Sequence, residues 1–216
     1  CSVQVEKGEL AVIVGPNGAG KSTVMRVLLG MLEATSGSVI LDGKDISMLS
    51  TQDRISNGLA FVPQTKNVFP SMTVEENLLM GGYLQDTPDL AKEKAEKVFE
   101  KYSRLAERRS KPARVLSGGE RRLLEISRAL IMEPEVLLVD EPSIGLEPRF
   151  IDMVFEILDD LQKAEGKTII MVEQNAKKGL EFADIGYVLV NGSLALAGKG
   201  DELLENPEVG RLFLGG

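Results

Sequence analysis

The stretch Gly15, Pro16, Asn17, Gly18, Ala19, Gly20, Lys21, Ser22 has the residue types and spacing of a phosphate-binding loop, G-x-x-x-x-G-K-[ST]. Its glycines let the backbone fold tightly enough for successive N–H groups to point inward at phosphate oxygens. A helix starting at the end of the loop adds about half a positive charge there. Lys21 supplies a mobile full charge for the β- and γ-phosphates, Ser22 places a hydroxyl where Mg²⁺ sits, and Thr23 adds a phosphate contact. An ordinary glycine-rich turn ahead of a helix is the plain alternative. A chance match to the whole pattern in a chain of this length is on the order of one in a hundred.

Two further segments point to the same chemistry. The aliphatic run from Val136 to Val139 ends in two carboxylates, Asp140 and Glu141, followed by Pro142. A strand buried on both faces carries Asp140 to the sheet's C-terminal edge, where ligands of open α/β sheets gather. Asp140 is then placed to hold Mg²⁺ directly or through water. Side chains alternate along a strand, so Glu141 is assigned a different task, the general base that orients or deprotonates the attacking water, a role worth about 10² to 10⁴ in rate. The third segment, Leu116, Ser117, Gly118, Gly119, Glu120, precedes a run from Arg121 to Leu130 with the apolar spacing of a buried helix. Ser117 and Glu120 make a capping-box pattern, which by itself accounts for a well-started helix. Two glycines at a helix start also expose backbone N–H groups and so form a second anion site. One nucleotide gripped from two sides is the implied arrangement.

The elements that position these residues follow from the pattern. Short apolar runs alternating with helical ones indicate a mainly parallel sheet flanked by helices. The expected strands are Leu10 to Val14, Leu59 to Val62, Val136 to Asp140, Thr168 to Val172 and Tyr187 to Val190, and Asn191-Gly192 between two apolar segments marks a hairpin. From about residue 73 to 132 strand signals vanish. This segment reads as a helical lobe, with a helical pattern from Lys92 to Arg109, inserted into an α/β core of residues 1–72 and 133–216 that holds a further helix from about Arg149 to Ala164. The mixed charges of the lobe are those of a solvated helix face.

Composition narrows the class. The chain has 216 residues, 43% hydrophobic and 27% charged, with a formal net charge of −8. That sign opposes affinity for nucleic-acid phosphates, so no nucleic-acid partner is expected. Apolar runs of four to six residues fall far short of the roughly 20 needed to span a bilayer. A single cysteine, Cys1, and the lack of a leader pattern fit a cytoplasmic location. The opening Cys1 to Val5 alternates apolar and polar and reads as a truncated start; a lipid-bearing Cys1 lacks any acceptor context.

Taken jointly and in order, the phosphate loop, Gln64 of Phe61-Val-Pro-Gln64, Leu116 to Glu120, Asp140-Glu141 and Ser143 to Pro148 resemble an ABC transporter ATPase over essentially the whole chain. More finely, Val68 to Leu78, Met171 to Ala176, the Gly186 to Gly192 hairpin and the ending Arg211 to Gly216 resemble the second ATPase subunit of branched-chain amino-acid importers, whose relatives take up amides and urea. The resemblance implies the P-loop NTPase fold with an inserted helical subdomain and antiparallel β elements, ATP hydrolysis with Mg²⁺, and a location peripheral to the inner face of the cell membrane. It implies a head-to-tail homodimer, or a heterodimer with a sister ATPase, docked on transmembrane permease subunits, with ATP between the loop of one subunit and the Ser117–Glu120 segment of the other. Gln64 then touches Mg²⁺ or the attacking water; a solvent-exposed loop glutamine is its plain alternative. Ser143 to Glu147 contacts the partner ATPase, or is simply a turn into the next helix. There are three departures. Gln174 stands where most members have a γ-phosphate-contacting histidine, and the expected consequence is slower intrinsic hydrolysis. Glu120 and Glu147 replace the commoner Gln and Asp. The resemblance implies about twenty further residues upstream, with a strand and an aromatic that stacks on adenine; no aromatic precedes Phe61, and the expectation is weakened base recognition and an unpaired sheet edge. The alternatives are a non-transport ABC ATPase of DNA repair or the ribosome, disfavoured by the absence of coiled-coil, zinc-binding or duplicated segments, and another P-loop enzyme such as a kinase or GTPase.

Overall fold

The computed structural model describes residues 1–64, 67–85 and 87–213; the end of the Arg211–Gly216 motif lies outside them. In chain order the elements are β1 (Leu10–Val14), α1 (Lys21–Leu29), β2 (Ile40–Leu41), β3 (Lys44–Asp45), α2 (Thr51–Ser56), β4 (Leu59–Val62), α3 (Val74–Gly81), α4 (Pro88–Lys101), α5 (Ser103–Ala106), a 3-10 turn (Ala113–Val115), α6 (Gly118–Leu130), β5 (Val136–Asp140), α7 (Pro148–Lys163), β6 (Thr168–Glu173), α8 (Ala176–Phe182), β7 (Ile185–Val190), β8 (Ser193–Gly198), α9 (Gly200–Leu204) and α10 (Pro207–Phe213).

Six strands form one sheet in the order β4-β5-β6-β1-β7-β8, parallel except for the β7–β8 hairpin. All five residues of β1 are fully buried, because both faces of the sheet are covered. On one face Leu10, Val12 and Val14 meet Leu137, Val139, Met171 and the apolar stripe Val154, Phe155, Leu158, Leu161 of α7. On the other, Ala11 and Ile13 meet Leu138, Val172, Tyr187 and Met25 and Leu29 of α1. A third cluster draws its buried members from Val74 to Ile131, with Leu78 of α3, Phe99 of α4, Leu105 of α5 and Leu124 of α6. The segment expected to be helical therefore packs around a core of its own.

The Asn191-Gly192 turn has positive φ at both residues, 50° and 79°, the type I′ geometry that matches strand twist. Several expectations change. The helical pattern from Lys92 to Arg109 is two helices, since Tyr102 leaves helical geometry at φ −118°, ψ 84°. The alternating Cys1–Val5 segment is in no strand; Val3 and Val5 pack partly against the second cluster, and Gln4 N–H donates to the Tyr187 hydroxyl at 3.0 Å. The strand leading into the phosphate loop is interior, between β6 and β7, and the sheet ends at β4 and β8.

Candidate active site

Register brings the segments together. Val62 pairs with Val139, Asp140 with Val172, and Glu173 with Val14. The ends of four adjacent parallel strands thus deliver Gln64, Asp140-Glu141, Gln174 and the phosphate loop to one edge of the sheet. A cavity of about 390 Å³ lies there, lined by Asn17 to Thr23, Gln64, Glu141, Ile144 and Gln174 but not by Asp140. Of the phosphate-loop residues only Gly15 and Pro16 are not on its surface. Pro16 is exposed, whereas Gly15 is buried at the base of the loop. None of the lining residues is aromatic.

The loop is held from inside and outside. Gly20 has φ 100°, a conformation open to glycine but strained for other residues, and it delivers the chain into α1 at Lys21. The Lys21 Nζ donates to the carbonyls of Gly15 at 2.7 Å and Pro16 at 3.3 Å. Outside, the hairpin turn braces the loop, as Gly192 N–H donates to Ala19 O at 3.0 Å. That second task of the turn carries no local sequence signal.

The two carboxylates diverge for a reason other than strand alternation. Asp140 is the last residue of β5, whereas Glu141 has left the strand in a left-handed conformation, φ 45°. This strain in a non-glycine residue is of the kind stored at functional sites. Glu141 is 6% exposed. Its Oε2 accepts from Gln64 Nε2 at 2.5 Å, and its Oε1 lies 3.9 Å from the Lys21 ammonium. Among the described residues Asp140 Oδ1 is buried without a hydrogen-bond partner. Burial, then the Glu141 charge, push the Asp140 carboxyl above its ordinary pKa.

Gln64 is held through its backbone. Arg122 of α6 donates to Pro63 O at 3.1 Å, to Gln64 O at 3.3 Å and to Glu125 Oε2 at 2.8 Å, and Glu125 Oε1 accepts from Asn67 N at 3.3 Å. Arg128 reaches Asn67 Oδ1 at 2.8 Å. Spacing of three residues aligns all three side chains on one helix face, yet their targets lie about 60 positions away, so sequence reasoning passed over them. It also passed over Glu173.

Ser117 to Glu120 are not in the cavity. They form the start of α6 as a complete capping box, with Ser117 Oγ accepting from Glu120 N at 3.2 Å and Glu120 Oε2 from Ser117 N at 2.8 Å. Burial raises the Glu120 carboxyl, but the bonds from Ser117 and the charges of Arg108 and Arg104 bring it below its usual value. A Cβ at Gly119 would lie 2.4 Å from the Phe150 ring, so glycine is needed here for α6 to pack on α7.

The profile of the ABC transporter family matches residues 1–144. The chain belongs to the ABC transporter family. This ABC protein is 44% identical over its whole length to the high-affinity branched-chain amino acid transport ATP-binding protein BraG of Pseudomonas aeruginosa, covering 91% of that protein. It is 37% identical over 98% of its length to the probable branched-chain amino acid transport ATP-binding protein LivF of Archaeoglobus fulgidus, covering 89% of it. Its fold superposes on the ADP conformation of MJ1267, an ATP-binding cassette of an ABC transporter, with TM-score 0.88 and 31% identity, covering all of this chain and 91% of that one. It is accordingly a nucleotide-binding ABC ATPase. Among the described residues no helix is long and apolar enough to cross a membrane.

Proposed function

We propose that this chain is the ATP-hydrolysing subunit of an importer for branched-chain amino acids or a related solute such as an amide or urea. It works as half of a dimer, with a copy of itself or a sister ATPase, on transmembrane permease subunits at the cytoplasmic face of the cell membrane. The solute follows the names of the two relatives. The observation that carries the enzymatic reading is the convergence of phosphate loop, Gln64, Glu141 and Gln174 on one cavity.

The N–H groups of residues 17–23, which line the cavity, and the Lys21 ammonium bind the β- and γ-phosphates. Gln64 holds Glu141 Oε2, leaving Oε1 to take the proton of the attacking water. Gln174 donates a hydrogen bond at the γ-phosphate, and being neutral at all working pH it positions without acting as an acid. Ser117, Gly118, Gly119 and Glu120 complete the site of the partner subunit. In this reading residues 1–72 and 133–216 form the nucleotide-holding core, and about 73–132 form the lobe that presents that segment.

Mg²⁺ fits the donor set of Ser22, Gln64 and Asp140. Among the described residues the buried Asp140 Oδ1 has no protein partner, and Mg²⁺ is commonly held by one or two carboxylates with waters and substrate phosphates. Held there by Ser22, Gln64 and Asp140, it would supply positive charge to offset the negative charge developing on the phosphate oxygens.

Steady-state hydrolysis tests the reading. Glu141→Gln keeps nucleotide binding and lowers kcat by about 10² or more; wild-type turnover in this variant refutes it. For the solute, cells lacking this chain lose uptake of labelled leucine, and unchanged uptake rejects the branched-chain assignment.

A further inference from the structure

Glu173 is a buried carboxylate that none of the roles above uses. It ends β6 and is 1% exposed, where an ionised group is costly unless hydrogen-bonded. Its Oε1 accepts from Ser143 Oγ at 2.9 Å, Gln174 N at 2.8 Å and Asn175 N at 2.9 Å, and its Oε2 from Ser143 N at 3.4 Å. Burial pushes this carboxyl above its ordinary pKa, against the pull of those donors.

Two segments meet on this side chain. One descends from Glu141 through Ser143 to Glu147; the other is the Gln174-Asn175 turn into α8. Among the described residues no hydrogen bond joins residues 141–147 to residues 174–175 except through Glu173. Ile144 and Gln174 line the catalytic cavity, and with Ser143, Glu173 and Asn175 they also line an adjoining cavity of about 350 Å³. Ile144 is 43% exposed at that junction.

We propose that Glu173 is a positioning residue that locks Gln174 to the Ser143–Glu147 segment, so that contact of a partner subunit with that segment is relayed to Gln174 at the cavity. The proposal rests on the reading of the cavity as an ATPase site. The carboxylate suits the task because it only accepts, and hydrogen bonds to an ionised acceptor are about twice as strong as neutral ones. An amide in its place has one accepting oxygen and turns N–H groups toward the remaining donors.

The test uses the full chain carrying Glu173→Gln, Ser143→Ala, both together, and Glu141→Gln in parallel. Glu173→Gln is expected to lower kcat about tenfold with KM for ATP unchanged, and adding Ser143→Ala is expected to reduce it no further. Ser143→Ala alone touches neither Gln174 nor Asn175, yet is expected to speed amide hydrogen exchange at both by about threefold or more. This second readout stands even if Glu173→Gln fails to fold. Full kcat in Glu173→Gln, multiplied effects in the double variant, or unchanged exchange at Gln174 and Asn175 overturns the relay. Wild-type hydrolysis in Glu141→Gln instead overturns the ATPase reading itself, so the two failures are distinguishable.

Discussion

Replacing Arg122 with Met removes the clamp on the loop that carries Gln64. The Arg122 and Glu125 side chains are 5% and 6% exposed and 2.8 Å apart, so solvent screens their attraction little. Deleting one partner of such a buried pair leaves the other uncompensated and costs about 3–5 kcal/mol. Here the carbonyls of Pro63 and Gln64 lose their donor as well. Glu125 has one escape, protonation, and burial already raises its pKa despite Arg122. The expected cost is therefore at the low end, about 3 kcal/mol near neutral pH. The sign with pH follows from the raised pKa: the protonated carboxyl suits the folded state, and that contribution is lost as pH rises through the folded value. The deficit of Arg122→Met is accordingly largest near neutrality and shrinks toward about pH 4–5. Arg122→Met with Glu125→Met removes both charges and recovers about 1–2 kcal/mol over the single variant, but stays below wild type because the Pro63 and Gln64 carbonyls and the Asn67 N–H have lost their partners. Its kcat stays about tenfold low, because Gln64 no longer has its backbone anchors. Urea unfolding with linear extrapolation, alongside ATPase kinetics, separates these effects. A single-variant cost under about 1 kcal/mol, or a double variant no more stable than the single, refutes the reasoning.

Two other outcomes follow. Asp140→Asn abolishes Mg²⁺-dependent hydrolysis yet stabilises the chain by about 1 kcal/mol at neutral pH, since it removes a buried negative charge beside Glu141; the gain fades as pH falls below the raised Asp140 pKa, and a loss of stability in neutral urea melts counts against it. Gly192→Ala puts a side chain at φ 79° in the turn that braces Ala19, and is expected to cost about 1 kcal/mol and weaken ATP binding in a titration; unchanged affinity removes the brace from the account.

The strands were legible because β1 and β4 are uninterrupted apolar runs and β5 is one up to Asp140, short stretches bounded by polar or turn residues; they lie at the expected residues. Glycine, lysine and carboxylate spacing likewise marked the phosphate loop, Asp140 and Glu141. What escaped has physical causes. The β2–β3 hairpin turns at Asp42-Gly43 with φ 47° and 75°, but two-residue strands carry no period. The short helices α2, α9 and α10 are fixed by tertiary contacts more than by pattern; in α2, the buried Arg54 bonds the carbonyls of Val27 and Leu28 at the end of α1. The apolar spacing from Lys92 to Arg109 does not register the break at Tyr102. Glu173, Arg122 and Glu125 each look like an ordinary charge, because their meaning depends on partners brought near only by the fold.

The central claim is that the cavity of one chain is completed by the Ser117–Glu120 segment of another. Light scattering with and without ATP tests it on the wild-type chain, Glu141→Gln, and Glu141→Gln with Ser117→Arg. The account predicts that Glu141→Gln accumulates an ATP-bound dimer, with itself or with an added sister ATPase, and that Ser117→Arg abolishes it. A dimer that forms equally well with Ser117→Arg contradicts the account.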